Sequence, residues 1–236
     1  MNKKVFILGA SSDIGREVVK QFLKNNWHVT AHYNSSSRKL KNIKSNYNLE
    51  LFKFDLKEIK NFEKFTNKNK KFFSFDSFVS LTGYQKIKSF NKTTVKDIYD
   101  HINCNYLANF IIIKNILKKM DKKKWGRILL SSSIGTKFGG GSYTFAYSMS
   151  KFLNEFFPTE YKKYYKNNIL INSLQIGLTD TKIHKKNKTK NLNERIRLIP
   201  IKRMAKTYEV ANYIYFLCSA ENQLITNEVI NISGGE

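Results

Sequence analysis

The stretch "VFILGASSDIG", Val5 to Gly15, decides the fold. Its apolar run, Val5 to Leu8, has the length of a buried strand rather than a helix. Gly9 follows at once, and Gly15 stands six residues on. Ile14, Val18, Val19, Phe22 and Leu23 then recur at helical spacing. Strand, glycine turn and helix make a phosphate-binding unit. The first glycine permits the tight turn, and the last lets the helix pack closely. The helix N-terminus offers N–H groups and a favourable dipole to a pyrophosphate. Asp13 stands where a middle glycine usually lets backbone approach that pyrophosphate. Repelled by phosphate, its carboxylate is expected to turn toward the N–H groups near Gly15 and Arg16 as an N-cap. Gly9, Ser11, Ser12, Asp13 and Ile14 are then the cofactor residues of this turn, with backbone N–H groups near Ser12 and Ile14 meeting the phosphates.

Six further strand-like runs follow: residues 27–33, 49–54, 77–81, 127–131, 169–174 and 228–232. Helical spacing recurs at Ile98, Ile102, Tyr106, Phe110 and Ile113, ahead of Met120. Another such segment begins at Asp55-Leu56, and Glu209 to Cys218 reads as the last helix. This alternation predicts an α/β doubly wound, Rossmann-type domain, its mostly parallel sheet flanked by helices on both faces. With two prolines, no linker-like stretch and no internal repeat, residues 1–236 read as a single domain. Ligands then bind beyond the C-terminal ends of the strands.

The bulk numbers narrow the function classes. The 236 residues carry 42 Lys+Arg against 18 Asp+Glu, a net charge of +24. Such charge fits a nucleic-acid or membrane surface, but the lysines are spread along the whole length without an arginine-rich block or binding motif. A lysine-rich solvated surface accounts for them, and nucleic acid is not the expected partner. No apolar run spans a bilayer, and the basic start is a poor signal peptide. Cys104 and Cys218 lie far apart, which suits a reducing cytoplasm and argues against a disulfide scaffold or a metal site.

The second strand selects the cofactor. An NAD site usually presents an acid to the ribose 2′-hydroxyl about 20 residues past the glycines. Residues 18–49 contain no Asp or Glu, and the strand ends in "HYNSSSRK". Asn34, Ser35 and Arg38 suit a 2′-phosphate, so NADP(H) is predicted over NAD(H). A basic surface helix is the other reading of Arg38.

The segment "SSSIGTKFGGGSYTFAYSMSK", residues 131–151, carries the chemistry. Tyr147 and Lys151 are four apart and share a helix face. Tyr143 lacks such a partner, because position 147 is tyrosine. The glycine-rich loop can return Ser133 beside Tyr147. Ketone reduction needs a proton for the developing alkoxide, and a phenol with pKa about 10 needs help to exchange one near neutrality. A nearby ammonium favours the phenolate. A serine hydroxyl can donate to the carbonyl oxygen.

Together these residues resemble the short-chain dehydrogenase/reductase family over essentially the whole chain. The resemblance runs through the glycine turn, Asp55-Leu56, Ser80-Leu81-Thr82-Gly83, Asn103, Ser133, Tyr147, Lys151 and the stretch from Gly177 to Thr181. It implies a seven-stranded parallel sheet and a homodimer or homotetramer. The closing stretch from Ile199 is similar to bacterial 3-oxoacyl-(acyl-carrier-protein) reductases and their paralogues. By position, Tyr147 is implied as general acid/base, Lys151 as its partner on the nicotinamide ribose, Ser133 as the carbonyl donor and Asn103 in a proton relay. Asp55 and Leu56 are implied at the adenine. Thr82, Gly83, Gly177, Leu178 and Thr181 complete the cofactor set.

Three departures mark this chain. Leu81-Thr82 replaces an Asn-Ala pair that braces the central strands, and Ile176 stands where proline usually stiffens a turn. Pro158 should interrupt the Tyr147 helix downstream of the pair. A substrate lid is expected around residues 178–206. Residues 177–206 carry ten Lys/Arg against Asp180 and Glu194. Such a lid suits an acyl-carrier-linked or other anionic ketone, an acidic acyl carrier protein among the partners, although solvated lysine explains it equally. A ketone on a sugar or secondary-metabolite pathway, or an idle NADP- or nucleic-acid-binding protein, are the alternatives.

Overall fold

The computed structural model describes residues 3–43, 48–183 and 191–236. Its strands are β1 (Lys4–Leu8), β2 (His28–Tyr33), β3 (Leu49–Lys53), β4 (Ser77–Ser80), β5 (Gly126–Ser133), β6 (Ile169–Ile176) and β7 (Val229–Ile232). They form one sheet in the order β3-β2-β1-β4-β5-β6-β7, parallel throughout. This is the Rossmann-type, seven-stranded arrangement expected. The connections reverse direction at β1, whose neighbours are β2 and β4, so a crevice opens beyond Leu8 and its register partner Ser80.

Both faces of the sheet are covered, which is why the strands read as near-continuous apolar runs. Side chains alternate along β1. Phe6 and Leu8 join one core with Phe62 of α3 (Ile59–Lys68) and Ile112 and Ile116 of α5 (Ala108–Lys123). Val5 and Ile7 join the other with Val18 and Phe22 of α1 (Asp13–Lys24) and Ile214 of α9 (Thr207–Cys218). The remaining helices are α2 (Arg38–Lys41), α4 (Val95–Ile102), α6 (Phe145–Phe152), α7 (Lys162–Tyr165) and α8 (Leu192–Leu198). No helix of the described residues is long and apolar enough to cross a membrane.

Two local features depart from smooth helices. The segment read as one helix from Ile98 toward Met120 contains a π-helical turn, Asn103–Leu107, between α4 and α5. The chain after Lys151 stops being α-helical at Phe152, passes through a tight turn at Leu153–Glu155 and runs extended to Pro158. Pro158 lacks an N–H donor and precedes the short turn Thr159–Tyr161, so the interruption falls beyond the Tyr147–Lys151 pair, as the sequence predicts.

Candidate active site

The glycine turn ends β1 against β4. Gly9 has φ +72°, and a Cβ there would lie 2.6 Å from the Leu81 carbonyl oxygen. A Cβ on Gly15 would lie 2.4 Å from the Gly9 carbonyl oxygen, so neither position admits a side chain. The cap of α1 is Ser12, whose Oγ accepts from Gly15 N at 3.0 Å. This corrects the expectation for Asp13, which is the first helical residue rather than the cap. Serine already satisfies the first-turn N–H, so the Asp13 carboxylate is free to accept from the Arg16 guanidinium at 2.7 Å and from Lys182 N–H at 2.8 Å. Lys39 Nζ stands 3.8 Å away. Burial works to raise the Asp13 carboxyl, but the bonds from Lys182 N–H and Arg16 and the Lys39 charge together hold it below the usual carboxylate range. The turn is also braced from β2. Buried His32 accepts from Gly9 N–H at Nδ1, 3.2 Å away, and its Nε2 lies 3.0 Å from the Phe54 carbonyl.

Beyond β4 and β5 lies a cavity of about 500 Å³, lined by Ser12, Asp13, Ile14, Thr82, Gly83, Ser133, Tyr147, Lys151, Gly177, Leu178 and Thr181. Ser131 and Ser133 project from the same face of β5, and α6 brings Tyr147 and Lys151 over them. Lys151 is 2% exposed, and its Nζ donates to the Thr82 carbonyl at 2.9 Å and to Ser131 Oγ at 2.8 Å. Burial pulls this lysine down to about 7, opposed by the carboxylate of Glu155. Tyr147 is half-buried and hydrogen-bonded to Ser133. Burial pushes its phenol up to about 12, with the Ser133 bond opposing. The expected phenolate-favouring effect of the ammonium is therefore not the dominant influence. The Lys151 ammonium is turned to Thr82 and Ser131, leaving desolvation to control the phenol.

Asn103 and Asn105 separate clearly. Asn103, expected in the relay, directs its amide to the Lys57 carbonyl at 3.3 Å, toward the α3 side, and does not line the cavity. Asn105, two residues into the π turn, is fully buried and faces α6. Its amide accepts from Tyr84 N–H at 2.8 Å and donates to the Tyr84 carbonyl and to Ser150 Oγ. Asn154 donates to the Asn105 and Ser131 carbonyls and accepts from Asn109. These three buried amides brace α6 against β5 where the Leu81-Thr82 turn lacks an asparagine. The signal for them was polar amides at 105 and 109 within an otherwise apolar helical pattern.

The other expected cofactor residues divide. Thr82, Gly83, Gly177, Leu178 and Thr181 line the cavity, whereas Ser11 does not. Asn34, Ser35 and Arg38 are exposed beyond β2, outside the cavity lining. Lys39 and Arg16 are the cations at the turn itself. Asp55 is exposed and its carboxylate accepts from Lys57 N–H, while Leu56 is buried in the core. The Ile176-Gly177 turn is stiffened without proline: Gly177 N–H donates to the Ile232 carbonyl, and Thr179 pairs with Ala205 in a parallel bridge.

Of the ten cations in the stretch expected to form a lid, Lys185, Lys186, Lys188 and Lys190 lie outside the described residues. Among the described ones, Arg203 forms a two-pronged pair with Glu209, Lys206 stands 3.8 Å from Asp180, and Arg195 pairs with Glu236. Three of the described cations of this stretch are thus paired within the protein.

The arrangement can hold a dinucleotide along the glycine turn and present a phenol, a hydroxyl and an ammonium to a carbonyl. Comparisons agree. The short chain dehydrogenase family model matches residues 3–192. A 3-oxoacyl-(acyl-carrier-protein) reductase, FabG, of Aquifex aeolicus is 33% identical over 167 residues, covering 68% of this chain and 64% of that protein. The uncharacterized oxidoreductase YmfI of Bacillus subtilis is 24% identical, covering 100% of this chain and 99% of that protein. The structure of ElxO with NADP bound is 28% identical, with a TM-score of 0.85, over 100% of this chain and 98% of that one. By fold, by the placement of its tyrosine and lysine and by these matches, the chain belongs to the short-chain dehydrogenase/reductase family.

Proposed function

We propose that this protein is an NADP-dependent oxidoreductase that reduces a ketone to a secondary alcohol, with a 3-oxoacyl thioester as the favoured substrate. The observation that carries the reading is the Lys151 ammonium, held between the Thr82 carbonyl and Ser131 Oγ one helical turn from Tyr147, in the lining of a cavity that the glycine turn shares. The likeness to ElxO, solved with NADP bound, supports the cofactor, and the likeness to FabG supports the substrate.

The residues fit the cofactor. The Gly9 and Gly15 contacts leave backbone, not side chains, at the α1 N-terminus, and Arg16 and Lys39 supply positive charge beside it. Arg38, Ser35 and Asn34 are the groups for the 2′-phosphate, in a segment without a carboxylate. NADPH, when bound, supplies the hydride. Ser133 donates a hydrogen bond to the substrate oxygen, and Tyr147, whose proton burial retains, gives that proton to the alkoxide. Lys151 keeps one donor for the cofactor ribose, and its charge favours the phenolate once the proton has left.

A homodimer fits the same reading. Tyr99, Phe110, Phe152 and Phe156 are exposed on α4, α5 and the segment ending α6. Aromatic surface on this scale suits burial against a second copy.

The test is NADPH oxidation followed at 340 nm with an acetoacetyl thioester and a panel of free ketones. Turnover of the thioester at the highest kcat/KM supports the favoured substrate. Turnover of another ketone alone moves the assignment to a sugar or secondary-metabolite substrate. No oxidation with any ketone would overturn the reading.

A further inference from the structure

Residues 178–183 leave β6 past Gly177 and bring Leu178, Thr181 and Ile183 into the lining of the cavity that Tyr147 and Lys151 share. The first half of this segment is anchored by backbone. Gly177 N–H donates to the Ile232 carbonyl, Ala205 N–H to the Leu178 carbonyl and Asp180 N–H to the Ala205 carbonyl, at 2.9–3.1 Å. Past Asp180 the anchoring changes character. Thr181 Oγ1 donates back to the Thr179 carbonyl, within the segment itself. Lys182 N–H instead donates to Asp13 Oδ2 at 2.8 Å, across 169 residues of sequence. The second half is thus tied to the glycine turn by a side chain.

Helix α1 does not account for that carboxylate. Ser12 Oγ already caps the helix by accepting from Gly15 N–H. The Arg16 contact is an i,i+3 pair on Oδ1, a weak stabiliser by itself. It matters more for the other oxygen. Arg16 at 2.7 Å and Lys39 at 3.8 Å from Oδ1 favour the ionised form, and an ionised acceptor holds an N–H more strongly than a neutral one. The Asp13 side chain is 16% exposed, so water competes little for the bond. The other side-chain tie of the segment, Lys206 to Asp180 at 3.8 Å, is a half-exposed surface pair of small worth.

Two departures of this chain meet at the bond. Ile176 stands where proline usually stiffens the turn into the segment, and Asp13 stands where glycine is usual. A glycine at position 13 has no side chain to reach Lys182. A turn without proline leaves the segment after it with more freedom to be removed. We infer that the two departures are complementary. Asp13 is a positioning residue whose carboxylate latches the Lys182 backbone to the cofactor turn and so fixes the cavity wall made by Leu178, Thr181 and Ile183. The phosphate-binding turn and that wall then move as one unit.

Amide hydrogen exchange of the ligand-free protein, followed residue by residue by NMR, reads the latch without any substrate. Asp13→Ala removes the acceptor. Lys182 N–H is expected to exchange at least about tenfold faster, while Gly15 N–H, held by Ser12, keeps its rate. Asp13→Asn retains a side-chain oxygen and should stay closer to wild type than to Asp13→Ala. Asp13→Gly, which carries the residue usual at this position, serves if Asp13→Ala does not fold. Unchanged exchange at Lys182 in the variant without an acceptor overturns the inference. So does equal acceleration at Lys182 and Gly15, because Asp13 would then support the start of α1. So does an Asn variant as fast as Ala. The kinetic arm rests on the proposed function. At saturating NADPH, the KM for the ketone should be about threefold or more higher in Asp13→Ala than in Asp13→Asn, with kcat changed less. Equal KM values in the two variants overturn the positioning role. If the exchange result holds and the wild-type protein turns over no ketone, the proposed function fails and the latch stands.

Discussion

Lys151 Nζ donates to the Thr82 backbone carbonyl across 2.9 Å, tying α6 to the turn that follows β4. An ammonium has three donors. The Thr82 carbonyl and Ser131 Oγ take two, leaving one for a ligand in the cavity that Lys151 lines. The lysine is thereby aimed by backbone and by β5, not by Tyr147. Under the proposed function, Lys151 supplies a titratable positive charge beside the site and Tyr147 is the group that exchanges a proton.

Tyr147→Phe removes that proton and little else. The expected outcome is a loss of about 10² or more in kcat, with NADPH affinity, read by fluorescence titration, close to wild type. Near-normal turnover would sink the assignment of Tyr147 as general acid.

The pH profile separates the two residues. Burial places Lys151 at about 7 and Tyr147 at about 12. Below about 7 the lysine is an ammonium, and above it the charge is lost, so kcat for reduction should fall as pH rises through that region. Tyr147 remains protonated throughout and does not contribute to this limb. Lys151→Arg, charged across the range, should lose the limb even though its kcat is lower. A limb unchanged in that variant would assign it to another group.

The fold was legible because each strand is an apolar run bounded by turns, and the β1–α1 unit is marked by Gly9 and Gly15. Tyr147 and Lys151 were legible because helical spacing is a local property. The missing pieces depend on chain segments far apart in sequence. That Lys182 N–H meets Asp13, or that Ser132, Thr136 and Gln175 converge on Glu155, follows from packing that no local spacing encodes. The π turn illustrates the same limit. One extra residue per turn changes which of Asn103 and Asn105 faces α6, and nothing in the run "HINCNYLANF" signals where it is inserted.

Asp13 sits between Arg16, Lys39 and the Lys182 N–H, and so occupies positive charge that a phosphate could use. Asp13→Asn keeps an acceptor for Lys182 N–H and releases the cations. NADPH should bind about three- to tenfold more tightly at low salt, the gain shrinking as ionic strength rises. Calorimetric titration at two salt concentrations checks this. Weaker binding would show that the carboxylate's hold on Lys182 matters more than its charge.

His32 is neutral in the fold, since burial pushes its ring down to about 4. Its Nδ1 accepts from Gly9 N–H, which requires the proton on Nε2, facing the Phe54 carbonyl. His32→Leu strands both backbone groups at a cost of about 1–3 kcal/mol each. The glycine turn loosens, so the KM for NADPH should rise about five- to tenfold while kcat at saturation is kept. His32→Asn, whose Oδ1 can replace Nδ1, should recover most of that affinity. Equal losses in both variants would mean the ring's shape, not its acceptor, holds the turn.

Arg127 provides the control at the opposite edge of the sheet. It is 1% exposed at the start of β5, and its guanidinium donates to the carbonyls of Ser219, Asn222, Gly126 and Asn168 at 2.7–3.2 Å. Burial lowers it to about 10, so it stays charged at neutral pH. Arg127→Met removes the guanidinium from all four carbonyls, of which Asn168 keeps the Gly126 N–H, and a stability loss on the order of 3 kcal/mol is expected. For a chain of this size that corresponds to a Tm lower by roughly 6–12 °C. Arg127→Lys should not restore it, because three donors on a flexible stem cannot replace a planar five-donor fork. Urea unfolding and calorimetry measure both variants. Turnover per folded molecule should match wild type, because Arg127 lies at the N-terminal edge of the strands and the reacting groups at the other. A selective loss of kcat in folded Arg127→Met would show that the two edges of the sheet are coupled.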